Sequence, residues 1–502
     1  MLCFLMLPAC ALPSLPQRSP SAAIENTADT RLGRAVARVT TVHAGLSGVY
    51  ALPGDRDAFA ARALLAAAAE RSIDAQYYIW QGDRSGNLLL EELWRAAERG
   101  VRVRLLIDDD NTAGRDSVLA ALSAHMNVEV RLFNPMAHRH ARWLNFALDF
   151  KRVNHRMHNK SFTVDNQVTI VGGRNVGDEY FDAGSPMAYD DLDVMAVGPI
   201  VRQVSAEFDL YWNSALAYPA EALLRTAPPG SAEEMEETFA RTRADPVSDQ
   251  YQEVLRQTRL IKDLSAGQLP FEWSHVGLVF DDPDKALDLK DSEQLLLLTR
   301  LIAMTARPTV RFDLVSPYFV PRKQGARLLE DLAGRGVSVR ILTNSLESTD
   351  VIEVHAAYSK YRKALLAAGV RLYELERKER PVTRVERTTG VRSASGLHAK
   401  SFDIDGKVLF VGSFNFDPRS ARLNTEMGLL IDSPVLASRL ASFFAEQVSS
   451  VAYVLSLTAH HDIRWSQRTS AGQTIFNTEP HTSVGRRAKS RFLSILPIEW
   501  LL

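Results

Sequence analysis

Cysteine is nearly missing from this chain: of 502 residues two are cysteine, Cys3 and Cys10, both in the first ten positions. The body of the protein therefore has no disulfide, no thiolate metal site and no cysteine nucleophile. A surplus of positive charge is missing too. Lys and Arg number 59 against 60 Asp and Glu, a net charge of −1, whereas a chain built to grip a polyanion is normally basic, so nucleic acid is not the expected partner. After the first residues no apolar run is long enough to span a bilayer; LLLLTRLIAM at 295–304 is broken by Arg300 and reads as a buried helix. What is present is an ordinary globular composition, 46% hydrophobic and 24% charged. The chain is too long for one growing core, which predicts two domains or two large lobes.

The opening MLCFLMLPACALPSLPQRSPSA starts apolar and becomes rich in Pro and Ser, as an export signal followed by a tether does. It is short and has no basic start. LPAC at 7–10 resembles the lipobox of bacterial lipoproteins, which makes Cys10 the lipidated residue of a protein of the bacterial cell envelope; Pro8 departs from that pattern, and a mis-started apolar terminus is the alternative.

The body repeats itself. SIDAQYYIW (72–80) reads as a buried strand, NLLLEELWRAAERG (87–100) as a helix stopped at Gly100, and VRVRLLIDD (101–109) as a strand. TVRFDLVSPYFV (309–320), GARLLEDLAGRG (325–336) and VSVRILTNS (337–345) give the same order again, and VEVRLFNP (128–135) and VRLYELER (370–377) follow in turn. Strands alternating with helices predict an α/β fold. The doubling predicts two similar lobes, mixed sheets flanked by helices, related by a pseudo-two-fold axis with the active site between them. The expected division is a signal and tether at 1–40, a first lobe at 41–216, a helical connecting segment at 217–290, a second lobe at 291–456 and a tail at 457–502.

Each lobe then carries one conserved spacing within the chain: MHNKSFTVDNQVTIVGGRN (157–175) and LHAKSFDIDGKVLFVGSFN (397–415). His158 and Lys160, like His398 and Lys400, are two apart, so on a strand they share a face and address one ligand. Asp165 and Asp405 stand in Asp-Asn and Asp-Gly breaks between two apolar runs; such breaks make tight hairpin turns, and the carboxylates are either turn formers or part of the chemistry. The Gly- and Ser-containing loops ending in Asn175 and Asn415 let backbone N–H groups approach a phosphate, with Ser413 and the two amides as further ligands. A pair of histidines, a pair of lysines and a pair of asparagines meeting in one pocket can cleave a phosphodiester. One imidazole attacks phosphorus, the other protonates the departing oxygen, and the remaining groups hold the equatorial oxygens, with no metal or cofactor required.

These two HxKxxxxD motifs with GGxN and GSxN tails resemble the phospholipase D superfamily, over about residues 55 to 450. That resemblance implies a phosphohistidine intermediate, with His158 as the nucleophile, and a downstream acid orienting each histidine, matched here by Asp193 in DLDVMAVG and Glu426 in NTEMGLL. A surface carboxylate is the alternative for either, but both precede apolar runs that read as buried, and a buried carboxylate needs a partner. NFDPRSARLNTE (415–426) and GGRN (172–175), with Arg174 where Ser is usual, resemble the bacterial cardiolipin synthases and in particular their C subgroup. The implied activity is transfer of a phosphatidyl group to phosphatidylglycerol, from phosphatidylethanolamine or a second phosphatidylglycerol, at a membrane surface. Hydrolysis of phospholipid by the same fold is the alternative, and a tethered binding protein with a dead site is not favoured because both motifs are complete.

Two further segments have readings of their own. HRHARWLNFALDFKR (138–152) interleaves basic residues with Trp143, Leu144, Phe146 and Phe150 and is either an amphipathic lip at a lipid surface or a packed surface helix. His138 and His140 with the run Asp108-Asp109-Asp110 can be drawn as a metal site, but a strand-end carboxylate and a charged loop account for them more simply.

Overall fold

The computed structural model describes residues 12–15, 20–181, 187–246, 248–287, 296–377, 394–469 and 472–502; Cys10 lies outside them. In the first half, strands form at β1 (Ser47–Leu52), β2 (Ser72–Tyr77), β3 (Arg102–Asp108), β4 (Val128–Phe133), β5 (Ser161–Val164) and β6 (Val168–Gly172). β7 (Met187–Asp190), β8 (Asp193–Val197), β9 (Ala217–Pro219) and β10 (Glu272–Ser274) follow. The second half contributes β11 (Val276–Phe280), β12 (Arg311–Val315), β13 (Ser338–Asn344), β14 (Arg371–Leu375), β15 (Ala394–Leu397) and β16 (Ser401–Ile404). It ends with β17 (Val408–Gly412), β18 (Met427–Asp432), β19 (Ala452–Leu457), β20 (Ile463–Thr469) and β21 (Gly472–Phe476).

Two sheets result, ordered β10-β1-β8-β6-β5-β2-β3-β4-β9 and β11-β18-β17-β16-β12-β13-β14-β19-β20-β21. Eight strands run in matching order in both, with a parallel trio (β2-β3-β4 and β12-β13-β14) joined to antiparallel neighbours. The helices between the trio strands, Arg84–Glu98 and Arg322–Gly334, bury their apolar stripe and end where Gly100 and Gly336 take positive φ.

The repetition reaches single side chains. Asp74 stands opposite Arg104 across β2 and β3, as Asp313 stands opposite Arg340 across β12 and β13. Each guanidinium grips its carboxylate with two nitrogens, at 2.7 and 2.9 Å in the first lobe and 2.6 and 2.6 Å in the second.

The lobes share a core. Val171, Val194 and Ala196 from β6 and β8 pack with Leu409, Val411, Met427 and Leu429 from β17 and β18, closed by Ile200, Val201 and Val204 of the helix Pro199–Asn213 and by Leu436 and Ala437. The hairpins that carry the repeated motif thus stand at the seam.

Three of the expected boundaries are corrected. Residues 31–40, placed above in the tether, form a helix whose Leu32, Ala35 and Val36 belong to the first core. The connecting segment is not only helical. β9 and β10 extend the first sheet, β11 opens the second, and Met235, Phe239, Tyr251 and Leu264 fill the first core. The polar stretch after 457, read as a tail, supplies β20 and β21 and the helix Val484–Ile495. Its alternation is too weak to mark a strand because these edge strands bury little beyond Trp465.

Candidate active site

Each motif begins with a short extended stretch bonded to the other lobe. The His158 N–H donates to Thr425 O at 2.8 Å, and the Thr425 N–H donates to Arg156 O at 2.9 Å. In the second lobe β15 pairs with β7, and the His398 and Ala399 N–H groups both donate to Asp190 O, at 2.9 and 3.0 Å. Arg156 and the Met157 N–H are in turn held by Asp108, at 3.0 and 2.7 Å. Backbone crossing of this kind places the two histidines at the seam, almost buried, with Lys160 and Lys400 beneath them.

The same crossing decides which acid meets which ring. His158 Nδ1 lies 2.8 Å from Glu426 Oε2, and His398 Nδ1 lies 2.5 Å from Asp191 Oδ2. Each of the two motif histidines is therefore oriented by a carboxylate of the opposite lobe, which makes Nε2 the ring nitrogen turned away from that carboxylate when Nδ1–H donates.

Glu426 stands where the motif resemblance put it; Asp193 does not. Asp193 pairs with Gly172 in the β6–β8 register, the position that Gly428 takes opposite Gly412. Counting back two residues makes Asp191 the counterpart of Glu426. Asp193 binds Arg62 at 2.8 Å and lies 3.5 Å from the Arg174 guanidinium, a buried structural cluster away from the rings. The signal was in the sequence, since Asp191 is eight residues before Pro199 and Glu426 eight before Pro434, each proline opening a helix.

The two half-sites solve the same problem with different residues. Ser413 Oγ donates to Glu426 Oε2 at 2.5 Å and Ser420 Oγ to Oε1 at 2.8 Å. Ser413, expected on the substrate, is thus committed to the acid. In the first lobe Gly173 replaces the serine, and a Cβ there would collide with the Asp191 carboxylate. Arg174, fully buried, donates to the carbonyls of Leu52 (3.0 Å), Pro53 (2.8 Å) and Asp191 (2.7 Å), so it props the loop that carries the acid.

Asn175 and Asn415 also differ. The Asn175 amide accepts from Ile79 N–H at 3.2 Å and donates to Tyr180 OH at 3.0 Å. Asn415 Oδ1 is buried with no hydrogen-bond partner among the described residues. Tyr78 stands edge-on to His158 and Tyr180 edge-on to His398, with centroids 5.1 and 5.2 Å apart. Neither tyrosine nor Ser420 was singled out from the sequence, because nothing in the spacing distinguishes them; Asp191 was passed over although its distance to Pro199 matches that of Glu426 to Pro434.

Asp165 and Asp405 are not in the pocket. Both take positive φ in the hairpin turn, at 50° and 55°, at the far end of their strand from the lysine. The Asp165 carboxylate accepts from the backbone N–H groups of Arg71 (2.7 Å) and Ser72 (3.0 Å), and also from Glu70; Asp405 does the same for Val310 (2.8 Å), Arg311 (2.9 Å) and Thr309. Each ties the turn to the start of the neighbouring antiparallel strand, β2 or β12, the first of its parallel trio, which is a reason for the spacing that involves no chemistry.

Charge in the pocket is finely set. Burial, and then the nearby ammonium groups of Lys160 and Lys400, hold His158 well below the usual imidazole range, against a hydrogen bond at the Ser413 backbone. Burial and Lys400 lower His398 to about 4, although Asp191 pulls it up. Burial lowers both lysines, partly offset by Glu426 and Asp191. Glu426 is pushed up to about 7 by burial, against Lys160, while Asp191, despite burial, is held below the carboxylate range by His398 and Lys400. One ring thus faces an acid near neutrality and the other a permanent anion.

The candidate metal cluster is spoken for differently. Asp109 binds Arg139 at 2.6 Å and the Met136 N–H, and Asp108 holds the motif approach, so these carboxylates serve as struts. Arg139 and Arg142 turn inward to Asp109, whereas Trp143 and Leu148 of the lip face outward.

A doubled mixed sheet with a His-x-Lys pair meeting at its seam defines a phospholipase D-like protein. The chain belongs to the family described as cardiolipin synthase, PLD-like domain, which matches residues 62–212 and 301–448, once in each lobe. It is similar to cardiolipin synthase C of Escherichia coli (strain K12), 45% identical over 473 residues that cover 94% of this chain and 100% of that protein. It is also similar to the cardiolipin synthase of Oceanobacillus iheyensis, 27% identical over 75% of this chain and 63% of that one. Among solved structures, phosphatidylserine synthase of Haemophilus influenzae Rd KW20 aligns over 93% of this chain and 100% of its own, with TM-score 0.53 and 12% identity, a likeness of fold.

Proposed function

We propose that this protein is a phosphatidyltransferase that makes cardiolipin from phosphatidylglycerol and a second phospholipid, phosphatidylethanolamine or another phosphatidylglycerol. The observation that carries the mechanism is the pair of buried imidazoles, each held at Nδ1 by the acid of the opposite lobe. His158 is the nucleophile. Burial favours its neutral form, as a nucleophile requires, and it faces Glu426, which burial pushes up to about 7; the choice between the two rings follows the phospholipase D resemblance. Its Nε2 forms a bond to the donor phosphorus as the P–O bond to the headgroup alcohol breaks. His398, beside an anion that stabilises imidazolium, gives the departing oxygen its proton. The bound diester carries negative charge between the two lysines and so raises His398 from its resting value. In the second step His398 takes the proton from a phosphatidylglycerol hydroxyl as that oxygen attacks phosphorus and the P–N bond breaks. Lys160, Lys400 and Asn415 hold the equatorial oxygens, with Asn175 supporting the first half-site. Two in-line displacements give net retention at phosphorus.

The site lies in the bacterial envelope at a membrane surface, with Cys10 as the lipid anchor; among the described residues no helix is long and apolar enough to cross a membrane. Loss of the protein from the membrane fraction in Cys10→Ser tests the anchor. For the activity, purified protein in mixed phosphatidylglycerol and phosphatidylethanolamine vesicles forms cardiolipin and releases glycerol or ethanolamine. Phosphatidic acid as the only product overturns transfer in favour of hydrolysis, and cleavage of nucleic acid alone overturns the lipid assignment.

A further inference from the structure

The helix Val484–Ile495 is amphipathic in the reverse sense for a docked helix. Ser490 is its buried residue and Arg486 turns inward to the carbonyls of Leu346 and Thr349, while Val484, Phe492 and Ile495 are 73%, 62% and 78% exposed. With Ala488 these apolar positions follow helical spacing and form one outward stripe. From 484 to 498 the chain has Arg486, Arg487, Lys489 and Arg491 and no acidic residue.

The stripe is held close to the site. Glu499 receives Lys360 and Tyr361, both at 2.8 Å, and Arg419 donates to Leu501 O at 3.1 Å and, through its backbone N–H, to Leu502 O at 2.7 Å. The same guanidinium donates to Asn154 Oδ1 and O, at 2.9 and 3.0 Å, directly after the helix Phe150–Val153. One arginine therefore joins two exposed apolar groups, Trp500 with the C-terminal stripe and Trp143 with Leu148. Asn154 is four residues before His158, and Arg419 four after Asn415.

We propose that the Val484–Ile495 stripe and Trp500, together with Trp143 and Leu148, form one docking face for an anionic phospholipid bilayer, set beside the mouth of the site; this rests on the lipid-transfer reading above. The stripe combines exposed apolar side chains with Arg487, Lys489 and Arg491 and has no acidic residue among them, which complements an anionic lipid surface that takes in apolar side chains flanked by cations. Tryptophan at both ends suits the headgroup layer.

The test uses the full chain with Cys3 and Cys10 replaced by Ser and an environment-sensitive fluorophore at Phe492→Cys, or at Met126→Cys as a distant exposed control. On phosphatidylglycerol-containing vesicles with brominated acyl chains, the probe at 492 shifts to the blue and is quenched, and the probe at 126 does neither. No quenching at 492 overturns the proposal whether or not the protein makes cardiolipin. In the otherwise native chain, Phe492→Glu with Ile495→Glu lowers vesicle turnover by about tenfold or more and leaves turnover of monomeric short-chain substrate unchanged. Equal loss on both substrates, or conversion of a dimer to a monomer with unchanged vesicle turnover, also overturns it.

Discussion

Replacing Asp191 by Asn removes one charge and almost no volume. In the native site the carboxylate lies 2.5 Å from His398 Nδ1 and also takes the Leu192 N–H at 2.7 Å. It does two things for the ring: it fixes the tautomer that presents Nε2, and it pulls the ring's affinity for a proton upward against burial and Lys400. An amide does the first poorly and the second not at all. Removing one partner of a buried charged pair costs about 3–5 kcal/mol, and the part of that sum felt only when His398 is protonated appears in the barrier, as a fall of about 10²–10⁴ in kcat. The pH profile carries the sharper signature. Because Asp191 raises His398, its loss lowers the proton affinity of the acid and moves the basic limb of the kcat profile toward lower pH. Asp193→Asn is the matched control. It leaves Arg62 and Arg174 partly unpaired and lowers stability by about 3 kcal/mol, with the profile of the folded fraction unmoved. Steady-state turnover on mixed vesicles between acid and alkaline pH, normalised to folded protein by near-ultraviolet circular dichroism, reads both. A native profile for Asp191→Asn, or a shifted one for Asp193→Asn, refutes the assignment of the acid.

His158→Asn and His398→Asn each abolish turnover, and a covalent phosphatidyl adduct trapped by denaturation in detergent at neutral to mildly alkaline pH, where the P–N bond survives, forms in the second variant at a slow rate but never in the first. Asp165→Ala loses about 3 kcal/mol of stability in urea because three backbone donors lose their acceptor, while kcat per folded molecule is unchanged. Glu207, buried beneath the motif and accepting from Asn159 Nδ2 at 2.7 Å, is pushed up to about 8 by burial. A carboxyl with a raised folded value contributes stability that is full below its unfolded value and is lost as pH rises through the folded one. Glu207→Gln therefore melts close to the native protein at pH 5 and higher than it at pH 9, by on the order of 3 kcal/mol, and differential scanning calorimetry at the two pH values checks the sign.

The repeat was legible because its strands are buried on both faces and its helices stop at glycine, signals that local chemistry writes strongly. His158, Lys160, His398 and Lys400 came with it, since two-residue spacing on a strand admits one common face. The acid of the second histidine was not legible in the same way. Asp193 follows the motif resemblance and precedes an apolar run, but the carboxylate that reaches the ring is decided by strand register, which is off by two residues. Asp165 was visible as a turn residue, yet its acceptance of three N–H groups from a strand far away in sequence is a tertiary fact. The outer strands after residue 457 left almost no trace because an exposed edge needs no apolar alternation.

The acid–histidine contacts join residues 268 and 207 positions apart in the chain. Contacts of such long range are the last to form, because loop closure must precede them. Secondary structure and each lobe's own core can thus be complete while the chain is still inert, and activity returns only when the seam closes. A newly made chain therefore remains catalytically silent until its second lobe has been completed and docked. Its first lobe, with His158 and Lys160 in place, lacks the Glu426 carboxylate throughout that interval.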